Sequence, residues 1–181
     1  MDIDKKKLED LQKEAQEHAL KIFMLFLTTP KYLNSPNTMF MIVTSMAYDI
    51  FLGSVAPLLN KEQEEDIWDM FVQIALSTRE LPFKKEESRR AAEMLKMMSA
   101  EDKKKVLPKE SAIEAYDEIT DILEGTNNVV TTLVALMISS GAFSTVLFDS
   151  EGEYEEELNG QFHRYRKFKN AMEAQSNDTR H

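Results

Sequence analysis

Residues 126–148 read TNNVVTTLVALMISSGAFSTVLF and contain no charged side chain and no histidine. This length would allow a helix to cross a membrane. Both flanks are acidic, however, with Glu124 before and Asp149 after, whereas a membrane span usually carries Lys or Arg on its cytoplasmic side. The stretch therefore predicts a buried helix at the centre of the fold, either straight or bent at Gly141. Minor strand content around 129–148 is the alternative, because the stretch is rich in β-branched residues.

The chain on either side of this stretch has the apolar spacing of packed helices. Apolar residues recur at intervals of three and four over about 4–28, and the segment 35–52 is apolar nearly all round, as expected of a second central helix. Only 5 Gly and 5 Pro disfavour a β-sandwich or barrel. The sequence predicts an all-α, single-domain bundle of about six to eight helices over residues 1–174, with a polar tail at 175–181.

Local residues predict several helix ends. Asn60 followed by Gln63 is typical of a capping box, in which each side chain bonds a backbone N–H of the other residue. Gly53 is expected to end the second long helix. The acidic segment 149–157 is expected to form a loop, and a last helix is expected over about 159–174.

The absence of cysteine and the net charge indicate which cellular compartment and which class of binding partner to expect. The chain has no Cys, which excludes disulfides, thiolate catalysis and Cys-based metal sites. Its first residues form a charged amphipathic stretch without the apolar core of a signal peptide, so we expect a cytoplasmic protein. The net charge of −10 repels nucleic-acid backbones and anionic membranes. A protein partner with a basic surface is expected instead.

The helix predicted before Gly125 carries an acidic stripe at spacings of 4, 3, 4 and 3, formed by Glu110, Glu114, Asp117, Asp121 and Glu124. At about 100° per residue these carboxylates fall within about 80° and extend over about 21 Å. The predicted core side of the same helix consists of Ile113, Tyr116, Ile119 and Leu123. Neighbouring like charges cost a helix about a few tenths of a kcal/mol per pair. The stripe is typical of a docking surface for Lys and Arg or of a phosphate-backbone mimic; a solvated face is the simpler explanation.

A second acidic set lies on the third predicted helix and consists of Glu62, Glu65, Asp66 and Asp69. With Glu114-x-x-Asp117 it supplies paired carboxylates, the oxygen ligands that Mg²⁺ prefers. These pairs resemble the Glu-x-x-Glu and Glu-x-x-Asp pairs of the all-helical nucleoside-triphosphate pyrophosphatases, and the resemblance implies a Mg-dependent nucleotide hydrolase. In this chain, however, the set lies about 140° from the apolar side of its helix. The gap between the two sets, more than 40 residues, is also longer than that family's pattern suggests.

A short basic and aromatic cluster follows near the C-terminus and consists of Arg164, Tyr165, Arg166, Lys167 and Phe168. Such interleaving can contact single-stranded nucleic acid or an anionic lipid surface. The cluster directly follows an acidic run, so neutralisation within the chain or a contact between subunits explains it equally well.

No catalytic residue, cofactor or metal is predicted. The three histidines are scattered, and neither a Ser–His arrangement nor a phosphate-binding glycine loop is present. The 11 methionines include Met94, Met97 and Met98 on one predicted helix, a composition that suits an adaptable apolar groove or a core.

The sequence therefore favours a non-enzymatic, acidic helical binding or regulatory protein. It would engage a protein partner through the acidic stripe or through a Met-rich groove, for example as an inhibitor of a nucleic-acid-handling protein. Small acidic modulators encoded by mobile elements have this style of composition. The alternatives are the Mg-dependent hydrolase and a structural subunit of a homo-oligomer that packs through residues 126–148.

Overall fold

The structure is a computed structural model that describes residues 5–81, 86–126 and 128–178. Within these ranges the chain forms nine α-helices and no strand, which confirms the predicted all-α bundle and excludes strand content in the described part of 129–148. The helices are α1 (Lys5–Thr28), α2 (Pro30–Leu33), α3 (Pro36–Ile50), α4 (Lys61–Ser77), α5 (Glu86–Lys96), α6 (Ala100–Lys103), α7 (Lys109–Leu123), α8 (Val129–Leu147) and α9 (Glu151–Asp178). The short helices α2 and α6 are single turns, so seven longer helices build the bundle.

Helix α8 is the centre of the bundle, as the uncharged stretch predicts. Residues 135–146 are all buried, and α8 packs against α1, α3 and α4. Its aromatic anchor, Phe143, meets Phe26 of α1 edge to face with ring centroids 5.0 Å apart. A helix that is apolar all round has no solvent side, and here neighbouring helices surround it.

The hydroxyl groups of Ser139, Ser140 and Ser144 in α8 tolerate burial because they bond within the chain. Ser139 Oγ donates to the carbonyl oxygen of Ala135 at 2.8 Å, and Ser144 Oγ donates to that of Gly141 at 2.6 Å. Ser140 Oγ pairs with the Tyr154 hydroxyl of α9 at 2.8 Å. These polar groups therefore do not weaken the assignment of α8 to the core.

Helix α8 is continuous through Gly141, and the glycine allows close packing. A Cβ atom at this position would lie only 2.4 Å from the carbonyl oxygen of Ala75 on α4. The α4 backbone thus occupies the space that any other residue's side chain would need.

Within the described part of the chain, two helical stretches could cross a membrane by length and composition alone, Pro36–Leu58 and Val129–Leu147. The core helix of a bundle passes the same test. In the most apolar 18-residue segment of each stretch, 78% of the second and 44% of the first is buried inside the protein. Burial by the chain's own helices accounts for the apolar character of α8 without a membrane.

The capping box at α4 is confirmed. Asn60 Oδ1 accepts from the backbone N–H of Gln63 at 3.0 Å, and Gln63 Oε1 accepts from the N–H of Asn60 at 3.0 Å. The expected end at Gly53 is wrong, because a π-helical turn, Phe51–Val55, and a 3-10 turn, Ala56–Leu58, continue the chain after α3. Phe51 is fully buried, which holds this turn against the core.

The prediction of an acidic loop at 149–157 is also wrong, because α9 begins at Glu151. Ser150 Oγ accepts from the N–H of Glu153 at 3.2 Å, and Glu153 Oε2 accepts from the N–H of Asp149 at 3.1 Å. Negative side chains in a first turn also interact favourably with the helix dipole. The helix extends to Asp178, and residues 179–181, the end of the predicted tail, lie outside the described residues.

Buried tyrosines predict a loss of stability at alkaline pH. Burial raises the pKa of Tyr48 and Tyr154 far above the ordinary value, while burial and a hydrogen bond to Glu118 raise the pKa of Tyr32 to about 12. In the unfolded chain these phenols ionise near pH 10, so the unfolded state alone loses protons above that value. We expect the melting temperature to fall from about pH 10 upwards, while absorbance at 295 nm shows delayed tyrosinate formation. A melting temperature unchanged between about pH 9 and 11 would contradict this prediction.

Candidate binding face

The acidic stripe lies on the solvent side of α7, and we call its five carboxylates the acidic face: Glu110, Glu114, Asp117, Asp121 and Glu124. All five residues are exposed. Helix α7 is held from behind by Ala115, Ile119 and Leu123, which are buried. At about 100° per residue the centres of these two sets lie about 180° apart. The acidic face is therefore presented to solvent by a helix whose opposite side belongs to the core.

One side chain from elsewhere in the chain reaches the acidic face. Lys31 Nζ of α2 lies 2.5 Å from Glu114 Oε2, and this hydrogen bond raises the pKa of Lys31. Both side chains keep substantial exposure, 37% and 54%. Among the described residues, no Lys or Arg pairs with the other four carboxylates. The acidic face thus keeps most of its negative charge unneutralised by the described part of the chain.

Helix α7 is fixed in place by hydrogen bonding as well as packing. The Tyr32 hydroxyl of α2 donates to Glu118 Oε2 at 2.9 Å, and Tyr32 itself is fully buried. Glu118 lies between the acidic face and the buried side, so this bond limits rotation of α7 about its axis. A partner would meet carboxylates on a rigid helix, which reduces the entropy lost on binding.

Two residues predicted to face the core are exposed instead. Ile113 is 53% exposed and Tyr116 is 45% exposed. The buried stripe follows Ala115 and Ile119, and Ile113 lies about 120° from Ile119 around the helix, beyond the reach of the neighbouring helices. The prediction for these two residues is therefore wrong, and apolar side chains border the acidic face.

The predicted basic and aromatic cluster does not form one surface, because successive residues point in different directions around α9. Arg164 Nη2 donates to Glu157 Oε1 at 3.3 Å, and Tyr165 donates to Asp49 Oδ1 at 2.5 Å. Lys167 and Phe168 are exposed, Phe168 by 62%. The Tyr165 hydroxyl is therefore already hydrogen-bonded within the chain. Its pKa is raised mainly by burial and also by the hydrogen bond to Asp49.

The remaining member of that cluster, Arg166, is neutralised within the chain. Its Nη2 donates to Glu64 Oε2 of α4 at 3.3 Å, and its Nη1 lies 3.3 Å from Oε1, with only 25% and 13% of the two side chains exposed. The sequence offered no periodic signal for this pair, since Glu64 and Arg166 are far apart in the chain. Arg166 is thus paired with a carboxylate of the same chain.

The acidic set on α4, Glu62, Glu65, Asp66 and Asp69, is exposed. A cleft of about 330 Å³ places Glu65 and Asp69 beside His163 and Arg166 of α9. Over the described part of the chain, no group of three or more His, Asp or Glu side chains is arranged to hold a metal ion. Glu65 and Asp69 therefore lie across this cleft from the side chains of His163 and Arg166.

The methionines singled out in the sequence differ in burial, and Met98 packs partly buried against the core. Met94 and Met97 are 73% and 86% exposed at the end of α5, while Leu95 between them is buried. The oligomer alternative packs residues 126–148 against a second subunit. In the structure residues 135–146 are buried within the bundle, while Val129 and Val130 are 44% and 52% exposed. The acidic face of α7 thus keeps all five of its predicted members together on one exposed helix side.

Comparison with protein-family models, with curated proteins and with solved structures finds no match for this chain. The class of the protein follows from its fold and surface: an all-α bundle around one uncharged helix, with a carboxylate-rich helix face turned outward.

Proposed function

We propose that this protein is a non-enzymatic binding or regulatory protein that engages a basic protein surface through the acidic face of α7. The observation that carries the proposal is the exposure of all five carboxylates, of which only Glu114 has an ion-pair partner among the described residues. The chain tolerates the mutual repulsion of these like charges on one helix. A partner that supplies Lys and Arg side chains would relieve that repulsion.

The border of the acidic face supports a protein partner over a simple cation. Ile113 and Tyr116 are about half exposed beside the carboxylates. Protein interfaces combine an apolar or aromatic centre with charged surroundings, and Tyr is enriched among their strongest contacts. A nucleic-acid-handling protein offers a suitable surface, because its basic groove is built to bind a row of negative charges. Occlusion of that groove would make the protein an inhibitor.

Reversing three charges tests the proposal. The triple substitution Glu114→Lys, Asp117→Lys and Asp121→Lys should reduce capture of partners from native extract, and binding of a Lys- and Arg-rich helical peptide, by about tenfold or more. The melting temperature should change little, because surface ion pairs contribute little to stability. Binding to the wild-type chain should also weaken at high salt.

The matched control makes the same change of net charge on another helix. Glu9→Lys, Asp10→Lys and Glu17→Lys replace three exposed carboxylates of α1. We expect this control to keep most of the binding. Equal losses in both variants would show that net charge alone attracts the partner, and unchanged capture by the α7 variant would remove the acidic face from the function.

A further inference from the structure

The C-terminal half of α9 carries apolar side chains that the bundle leaves open to solvent. Tyr154 and Met172 lie about five helical turns apart, and therefore on the same side of α9. Tyr154 is fully buried, whereas Met172 is 56% exposed and Phe168, one turn before it, is 62% exposed. The side of α9 that packs against the core near its beginning is thus uncovered near its end.

Two basic side chains border these apolar residues, and we call the four residues together the α9 face: Arg164, Lys167, Phe168 and Met172. At about 100° per residue they fall within about 140° around the helix. Arg164 and Lys167 are exposed. Arg164 pairs with Glu157 at 3.3 Å, yet 67% of its side chain is accessible, and no ion pair within the described residues involves Lys167. The α9 face therefore combines positive charge with exposed apolar surface.

The acidic face of α7 has the complementary composition. Its carboxylates are exposed, and Ile113 and Tyr116 beside them are 53% and 45% exposed. The carboxylates can meet the two basic groups of an α9 face, while Ile113 and Tyr116 can meet Phe168 and Met172. Apolar and aromatic contacts surrounded by charged groups are the usual composition of a protein interface.

The acidic face and the α9 face are neighbours on one side of the molecule. Helices α7 and α9 both pack against α3. The Tyr165 hydroxyl of α9 donates to Asp49 of α3 at 2.5 Å. Burial and this hydrogen bond raise the pKa of Tyr165, and the nearby Tyr116 phenol of α7 adds to the effect. A surface with an acidic half beside a basic half is self-complementary, because a two-fold rotation places each half on the opposite half of a second copy.

We propose that a second copy of this chain docks on this surface and forms a symmetric dimer, in which α7 of each copy packs against the α9 face of the other. Two identical contacts would form, as in most soluble homodimers. Local pairing of opposite charges offsets the general repulsion between two chains of net charge −10. The dimer does not depend on the proposed function, but it would cover the acidic face and compete with an external basic partner.

A charge exchange between the two faces tests the dimer by sedimentation velocity. The wild-type chain should change reversibly from monomer to dimer between about 1 and 200 µM. Arg164→Glu with Lys167→Glu, and Asp117→Lys with Asp121→Lys, should each remain monomeric, because like charges then face each other. An equimolar mixture of the two variants should dimerise again, since both contacts would join opposite charges.

Two further variants complete the test, and circular dichroism checks that every variant stays folded. Lys13→Glu with Lys61→Glu makes the same change of net charge as the α9 variant, on exposed positions of α1 and α4, and should keep the dimer. Met172→Glu alters no ion pair and should give a monomer. A monomeric wild-type chain, a mixture that stays monomeric, or loss of the dimer in only one of the two exchanged variants would overturn the proposal.

The dimer and the proposed function can fail separately. Arg164→Glu with Lys167→Glu leaves the acidic face intact, so this variant should bind the Lys- and Arg-rich peptide at least as tightly as the wild-type chain. A monomeric wild-type chain that binds the peptide would overturn the dimer alone. A dimer whose α9 variant does not bind the peptide would overturn the proposed function alone.

Discussion

Gly141→Ala is expected to lower the free energy of unfolding by about 2–3 kcal/mol, although Ala is the better helix former. The new Cβ atom would lie 2.4 Å from the Ala75 carbonyl oxygen and 3.2 Å from its carbonyl carbon. Backbone atoms of a packed helix cannot rotate away as a side chain can. Helices α4 and α8 would therefore have to move apart along their contact, with loss of van der Waals packing in the core.

Thermal and urea denaturation followed by circular dichroism would measure this loss. For a chain of this size about 2–3 kcal/mol corresponds to a fall of several degrees in melting temperature. The matched control is Gly160→Ala in the middle of α9, where the nearest atom to a new Cβ is the guanidinium end of Arg164 at 3.3 Å. A flexible side chain can move, so this control should be neutral or stabilising. A neutral or stabilising Gly141→Ala would show that α4 does not pack as closely as described.

Trp68→Ala is expected to lower the free energy of unfolding by about 3–5 kcal/mol, more than Gly141→Ala. Trp68 is 3% exposed and stacks on Phe162 of α9, with centroids 4.0 Å apart and an interplanar angle of 9°. Its Nε1 donates to Asn159 Oδ1 at 3.0 Å. Removing the ring would leave a large void between α4 and α9 and would deprive Asn159 of its donor.

Phe168, an aromatic residue on the surface, provides the control for this prediction. Phe168→Ala, at a position 62% exposed, should change stability by only about 0.5 kcal/mol. Trp68→Phe keeps an aromatic ring and loses the N–H donor, so it should fall between the two. Because Trp68 is the single tryptophan, the Ala variant must be followed by circular dichroism and not by fluorescence. Similar stabilities of Trp68→Ala and Phe168→Ala would contradict the buried stack.

Local features of the fold could be predicted because their causes lie within a few residues. The Asn60 and Gln63 capping box depends on side chains three positions apart, and the structure contains both bonds. The prediction of a loop at 149–157 was wrong because one local pattern is compatible with two structures. A run of acidic residues is typical of a solvated loop, yet the same charges suit the first turn of a helix once Ser150 caps it.

The candidate site was predicted in part. The exposure of the acidic face follows from the cost of burying five charges on one helix. The exposure of Ile113 and Tyr116 does not, because an apolar residue at the edge of a helix is buried only if a neighbouring helix reaches it.

The sequence by itself determined that the chain is helical and that residues 126–148 supply its central helix, because helix periodicity and the absence of charge are properties of neighbouring residues. Only the tertiary structure decided that Gly141 touches Ala75, that Trp68 stacks on Phe162 and that Lys31 reaches Glu114. Each of these contacts joins residues more than 60 positions apart in the chain. Their distances depend on how whole helices pack, which is set by the combined shape of many side chains and not by any local pattern.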